Sequence, residues 1–140
     1  MFAFGDAQFL GSVPGALPPG VQLNRPVNGV TAAVGGYRMV AADGGIFSFG
    51  APFYGSMGGK FLAGPVVGMA SSPDGLGYWL VGSDGGIFCY GDAQFHGSMS
   101  GLSLAAPIVA MTPDSVTGGY WLEGADGGVF AFDAPYYGSR

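Results

Sequence analysis

The 140-residue chain is poor in charge, in cysteine and in histidine, and each shortage excludes a class of chemistry. Only 9% of its residues are charged, and four Lys or Arg stand against nine Asp or Glu, a formal charge of −5. Arg25, Arg38, Lys60 and Arg140 are scattered. Phosphate binding needs a local excess of cations, so nucleic acid is not an expected partner, and an anionic membrane surface is an equally poor match. No stretch approaches the roughly 18 apolar residues that span a bilayer, so membrane insertion is not expected. The segment Met1-Phe2-Ala3-Phe4-Gly5-Asp6 has neither a basic start nor a sustained apolar run, and no signal peptide is read there.

Cys89 is the one cysteine, which rules out an internal disulfide and a cysteine-based zinc site. Ser48 and Ala131 take its place in the other copies of a repeat described below, so it is expected as a small core residue. His96 is the one histidine, and a Ser-His-Asp or Cys-His relay would have to be built around it. Its counterparts are Leu10, Tyr54 and Tyr137, so the position takes any bulky side chain, and no catalytic residue is assigned. Asp43, Asp84 and Asp126 precede Gly-Gly, where a carboxylate bonds the local backbone. No Asp-x-Asp-x-Asp spacing exists, and the Gly-rich stretches lack the Lys-Ser/Thr and the helix start of a phosphate loop. Neither a metal nor a cofactor is therefore expected, and the chain is expected not to be an enzyme.

Long helices are missing as well. The longest run free of Gly and Pro is the seven residues 37–43, shorter than a mean helix of about 11 residues. What is abundant is glycine, 29 residues, with 20 aromatics in register with it, which argues against disorder.

That register is a repeat with a period near 40 residues. Gly36-Tyr37-Arg38-Met39-Val40, Gly77-Tyr78-Trp79-Leu80-Val81 and Gly119-Tyr120-Trp121-Leu122-Glu123 each lead into Asp-Gly-Gly-(Ile/Val)-Phe. Each copy closes on an aromatic-x-Gly-Ser element: Phe53-Tyr54-Gly55-Ser56, Phe95-His96-Gly97-Ser98 and Tyr136-Tyr137-Gly138-Ser139. Each begins with Leu-x-x-Pro and a β-branched residue. A truncated copy, Phe2 to Ser12, opens the chain and nearly repeats Phe88 to Ser98. We therefore divide a single domain, 1–140, into a half unit 2–12, a leader 13–22 and full units 23–56, 62–98 and 104–139.

In the second full unit the alternation predicts four strands, near 66–71, 78–83, 87–90 and 94–96, joined by Asp-Gly turns. The first full unit lacks the Pro-Asp of the preceding turn and is shorter there, so its first hairpin is expected to differ. The fold class is all-β, and four strands per 42-residue unit suit a β-propeller-like array of three blades plus a half blade. A β-trefoil is the alternative; it gives no home to the half unit. Three and a half blades leave open sheet faces, to be covered by self-association or by further repeats of a longer parent chain.

Pro65-Val66-Val67-Gly68-Met69-Ala70, followed by Gly77-Tyr78-Trp79-Leu80-Val81 and Ser83-Asp84-Gly85-Gly86-Ile87-Phe88, resembles a repeat of secreted and cell-surface actinobacterial proteins. There it forms a propeller-type array, often attached to peptidoglycan- or peptide-cleaving domains. The resemblance implies an extracellular or cell-surface accessory module with no catalytic motif of its own. Arg38, where the pattern has tryptophan, and the longer Pro-rich leader depart from it.

The candidate ligand-binding residues are Trp79 and Trp121, Arg38 in the equivalent place, and Tyr54, His96 and Tyr137 on the expected outer strand. Aromatic faces stack on sugars and anchor protein partners, and repetition suits multivalent contact. The competing expectation is that the tryptophans pack between neighbouring units, while Arg38 in one copy argues for exposure. The function expected is a non-catalytic binding or scaffold module contacting cell-wall glycan or a surface protein. The alternative is a structural segment of a larger propeller.

Overall fold

The computed structural model describes residues 2, 4–5, 7–12 and 25–138; the leader 13–22, Leu23 and Ser139 of the repeat scheme lie outside them. Every regular element in the described residues is a strand. The strands are β1 (Val27–Ala33), β2 (Gly36–Ala41), β3 (Ile46–Phe49), β4 (Val66–Ser71), β5 (Gly77–Gly82), β6 (Ile87–Gly91), β7 (Ile108–Pro113), β8 (Tyr120–Gly124) and β9 (Val129–Phe132). They form three antiparallel three-stranded sheets, β1-β2-β3, β4-β5-β6 and β7-β8-β9, with no closed barrel. The three sheets share even their irregularity, a register shift near the start of β1, β4 and β7.

The turn chemistry accounts for the second hairpin of each sheet. Asp43 Oδ1 accepts the Gly45 N–H at 3.0 Å, and Asp84 and Asp126 do the same for Gly86 and Gly128. The Gly between them, Gly44, Gly85 or Gly127, sits at φ 83°, 84° or 87°, a conformation that costs a residue with a Cβ. The first hairpins do differ. β1 and β2 are joined by Val34-Gly35 alone, whereas β4 and β5 are separated by a longer turn in which the Asp74 carboxylate accepts from Leu76 N–H.

The expected fourth strand is absent, and this corrects the four-stranded unit. Residues 94–96 form no strand, nor do 52–56, and the reason lies in their bonding. Gln94 gives its carbonyl to a side chain of its own sheet, and His96 gives its amide to the next sheet, so neither is free for a ladder. Gly55 and Gly97, at φ 129° and 130°, then turn the chain out of extended form.

The sheets stack face to face. Val40, Val66, Met69, Tyr78 and Leu80 form one core between the first and second sheets. Ala70, Trp79, Val81, Ile108, Met111, Tyr120 and Leu122 form another between the second and third. β5, covered on both sides, is buried along its whole length. The first strands lie next to one another: Asn28 Nδ2 donates to Val66 O at 2.8 Å, and Ser71 Oγ to Ala32 O at 2.5 Å. The first two Asp-Gly-Gly turns also accept from the following unit, Val66 N–H to Ala42 O at 2.8 Å and Ile108 N–H to Ser83 O at 2.9 Å. No hydrogen bond joins the strands of the first sheet to those of the third among the described residues.

Candidate functional site at the seams between units

Three equivalent tyrosines organise the seams. The Tyr78 hydroxyl accepts the Tyr54 N–H at 3.0 Å and donates to Gly55 O at 2.6 Å. The Tyr120 hydroxyl accepts the His96 N–H at 3.0 Å and donates to Gly97 O at 2.5 Å. Tyr37 repeats the pattern with Leu10 N–H, at 3.1 Å, and Gly11 O. The elements at Leu10-Gly11, Tyr54-Gly55 and His96-Gly97 therefore belong in sequence to one unit and are held by the next. The glycine of the element is required by close approach, because a Cβ at Gly11, Gly55 or Gly97 would stand 2.6–2.8 Å from the ring of Phe49, Tyr90 or Phe132. Burial pushes the Tyr78 and Tyr120 hydroxyls above their ordinary value of 10.0.

The neighbouring position closes each element on its own sheet. Trp79 Nε1 donates to Gln94 O and Trp121 Nε1 to Pro135 O, both at 2.7 Å, and Arg38 Nε donates to Pro52 O at 2.9 Å. Arg38 thus makes with its guanidinium the bond that tryptophan makes with its indole. Its exposure, argued from the missing tryptophan, is corrected: the side chain is fully buried. Its carbon Cζ lies 4.8 Å from the Tyr78 ring centroid and 5.3 Å from that of Tyr54, as Trp79 lies 5.4 Å edge-on from Tyr120. Arg38 Nη1 and Nη2 have no hydrogen-bond partner among the described residues, an unfavourable state for buried donors.

The middle residue of each element rests on a tight bend of the next unit. Leu10 lies on Gly50 and Tyr54 on Gly91, at φ 67° and 68°. His96 instead meets Asp133, a non-glycine residue held at φ 51°, with Nδ1 2.6 Å from Oδ2. Its ring also contacts Tyr120 edge-on at 5.6 Å.

Beside His96 a polar cleft of about 290 Å³ opens between the second and third sheets, lined by Ser72, Asp74, Asp92, Gln94, His96 and Thr117 among others. Ser72 Oγ lies 2.9 Å from Asp74 Oδ1 and 2.7 Å from Asp92 Oδ1. The hydrogen bond between the two carboxyl groups raises the Asp92 pKa and lowers that of Asp74, which is lowered further by the Leu76 N–H. The first seam lacks these groups, having Ala33 where Ser72 stands and Ala51 after the bend glycine.

The six candidate residues therefore fall into three places. Arg38 and Tyr54 meet on Tyr78, Trp79 and His96 meet on Tyr120, and Trp121 and Tyr137 line an open groove at the last sheet. Trp79 is 1% exposed and Tyr137 85% exposed, so only the last group presents an open aromatic surface. The tyrosines 37, 78 and 120 are not among those six candidates. The available signal was that tyrosine persists in all three copies while its neighbour changes to arginine. Among groups of three or more His, Cys, Asp or Glu in the described residues, none is arranged to hold a metal ion. Neither a protein-family model nor a curated protein sequence matches the chain.

Replacing Tyr120 by Phe keeps the ring but removes an acceptor and a donor, so chemical denaturation is expected to give a loss of about 1–3 kcal/mol. Because the raised hydroxyl pKa stabilises the folded state fully below 10.0, that contribution disappears as pH rises through the folded value. The gap between wild type and the variant is thus expected to narrow at alkaline pH; a gap independent of pH would contradict the assignment. Grafting the second seam onto the first, Arg38→Trp with Tyr54→His, removes two unpartnered buried donors and should raise stability by about 1 kcal/mol. A fall in the denaturation midpoint of the double variant would refute that view of Arg38.

Proposed function

We propose that the chain is a non-catalytic binding or scaffold module, an arc of propeller-type units at a cell surface. The observation that carries this reading is the tyrosine clasp, made three times in the same way and always between one unit and the next. The side-by-side first strands and the lack of hydrogen bonds between the first and third sheets suit units set around an axis in an open arc better than a closed trefoil. The extracellular setting rests on the resemblance alone.

The ligand place in this reading is the cleft between the second and third sheets. Hydroxyl, carboxyl, amide and imidazole groups converge there, which is the chemistry that a polyhydroxylated ligand such as a cell-wall glycan requires. His96 already spends Nδ1 on Asp133, and no hydroxyl or thiol bonds its second ring nitrogen among the described residues, so the pair serves here as a polar wall. A purely structural role is the second reading. It is favoured by the burial of Arg38 and Trp79, whose Nε and Nε1 donate to Pro52 O and Gln94 O of their own units.

Titrating soluble peptidoglycan fragments into the labelled protein distinguishes the two. Saturable amide shifts are expected at Gln94, His96 and Thr117, weakened at least about fivefold in Asp92→Ala. No shift with fragments at about 10 mM would remove the glycan reading and leave the structural one.

A further inference from the structure

The trailing face of the third sheet repeats the faces that are covered inside the molecule. Trp121 Nε1 is already bonded to Pro135 O, as at the two seams, and Gly138 already has φ 115°, near the 129° and 130° of Gly55 and Gly97. Among the described residues no ring lies over it: a Cβ at Gly138 would meet none of their atoms within 4 Å. Nothing bonds the Tyr137 amide or the Gly138 carbonyl among the described residues. Next to this element, Thr112, Trp121, Glu123 and Val129 line a groove of about 290 Å³.

The leading face of the first sheet is the matching half. Val30 pairs with Met39 as Met69 pairs with Leu80 and Met111 with Leu122, which makes the three residues equivalent. Met69 and Met111 are 8% and 9% exposed because the preceding sheet covers them, whereas Val30 is 56% exposed. Among the described residues, those outside the first unit that touch this face belong to the half unit. Leu10 and Gly11 hold Tyr37, and Phe2, Ala7 and Gln8 help to line a cavity of about 530 Å³ against Val30.

We propose that the trailing face of one copy docks on the leading face of a second copy. Tyr136-Tyr137-Gly138 of the first would take Tyr37 of the second away from Phe9-Leu10-Gly11. The occupant is fixed by what the three equivalent elements hold within the chain: a tyrosine hydroxyl, an aromatic ring against the glycine, and a bend of the next unit. The contact is head to tail, so it builds rings or filaments rather than an isologous dimer. The half unit is its intramolecular competitor, present at a high effective concentration. This inference rests on the reading of the chain as an arc of repeats and adds the partner of its ends.

The test is sedimentation velocity of the full chain over a concentration series, with two variants that act in opposite directions. Gly11→Val strains the competitor against Phe49 and is expected to tighten association at least about tenfold, while Gly138→Val blocks the trailing clasp and is expected to weaken it at least about tenfold. Monomers throughout, including Gly11→Val at about 0.5 mM, would overturn the docking. So would association that Gly138→Val leaves unchanged. If those monomers keep the β-sheet circular dichroism and cooperative unfolding of the wild type, only the docking fails and the repeat reading stands. Peptidoglycan fragments that shift Trp121 without any association would assign the face to glycan and overturn the proposal as well.

Discussion

A phenol hydroxyl can accept from one amide and donate to one carbonyl at the same time, and each of three tyrosines does both with a segment of the preceding unit. This constraint sets much else. The segment cannot pair as a strand of its own sheet, a glycine must lie against the next unit's ring, and the residue between must rest on a bend at positive φ. A three-stranded sheet standing alone would leave its apolar face in water. Neighbouring sheets bury Val66, Leu80, Ile108 and Leu122 between them, so the seams and the cores are one cooperative structure.

Much of the fold was legible because local chemistry dictates it. Asp-Gly-Gly between apolar runs specifies a hairpin, and Asp43, Asp84 and Asp126 make the backbone bonds expected of them. The all-β class and the three similar units follow from that pattern. The fourth strand was misread because alternation reports which side chains are apolar, not which partner takes the amides; those of Tyr54 and His96 go to a side chain some 24 residues on. Arg38 was misread for a related reason. Charge suggested solvent, yet a guanidinium presents an N–H and a flat face much as an indole does, and the seam uses both.

The candidate site was legible only in part. Sequence could single out aromatic positions but not whether their faces are open, and Trp79 and Trp121, alike in the repeat, differ because one has a following unit and the other is half-exposed. The polar cleft is not legible in the sequence, since Ser72 and Asp74, Asp92, and Thr117 come from three separate turns of two units. Only the stacking of the second and third sheets brings them together. The first seam, lacking those side chains, is apolar and cationic instead, so equivalent seams serve unequal chemistry on one scaffold.

The clasp is tested most directly by hydrogen exchange at the two amides that it removes from solvent, Tyr54 and His96. Neither belongs to a strand, so ordinary secondary structure gives them no protection. Protection comparable to that of the β5 amides is the result expected of a hydroxyl-bonded seam. Exchange of both at the rate of an unstructured peptide, with β5 still protected, would contradict it.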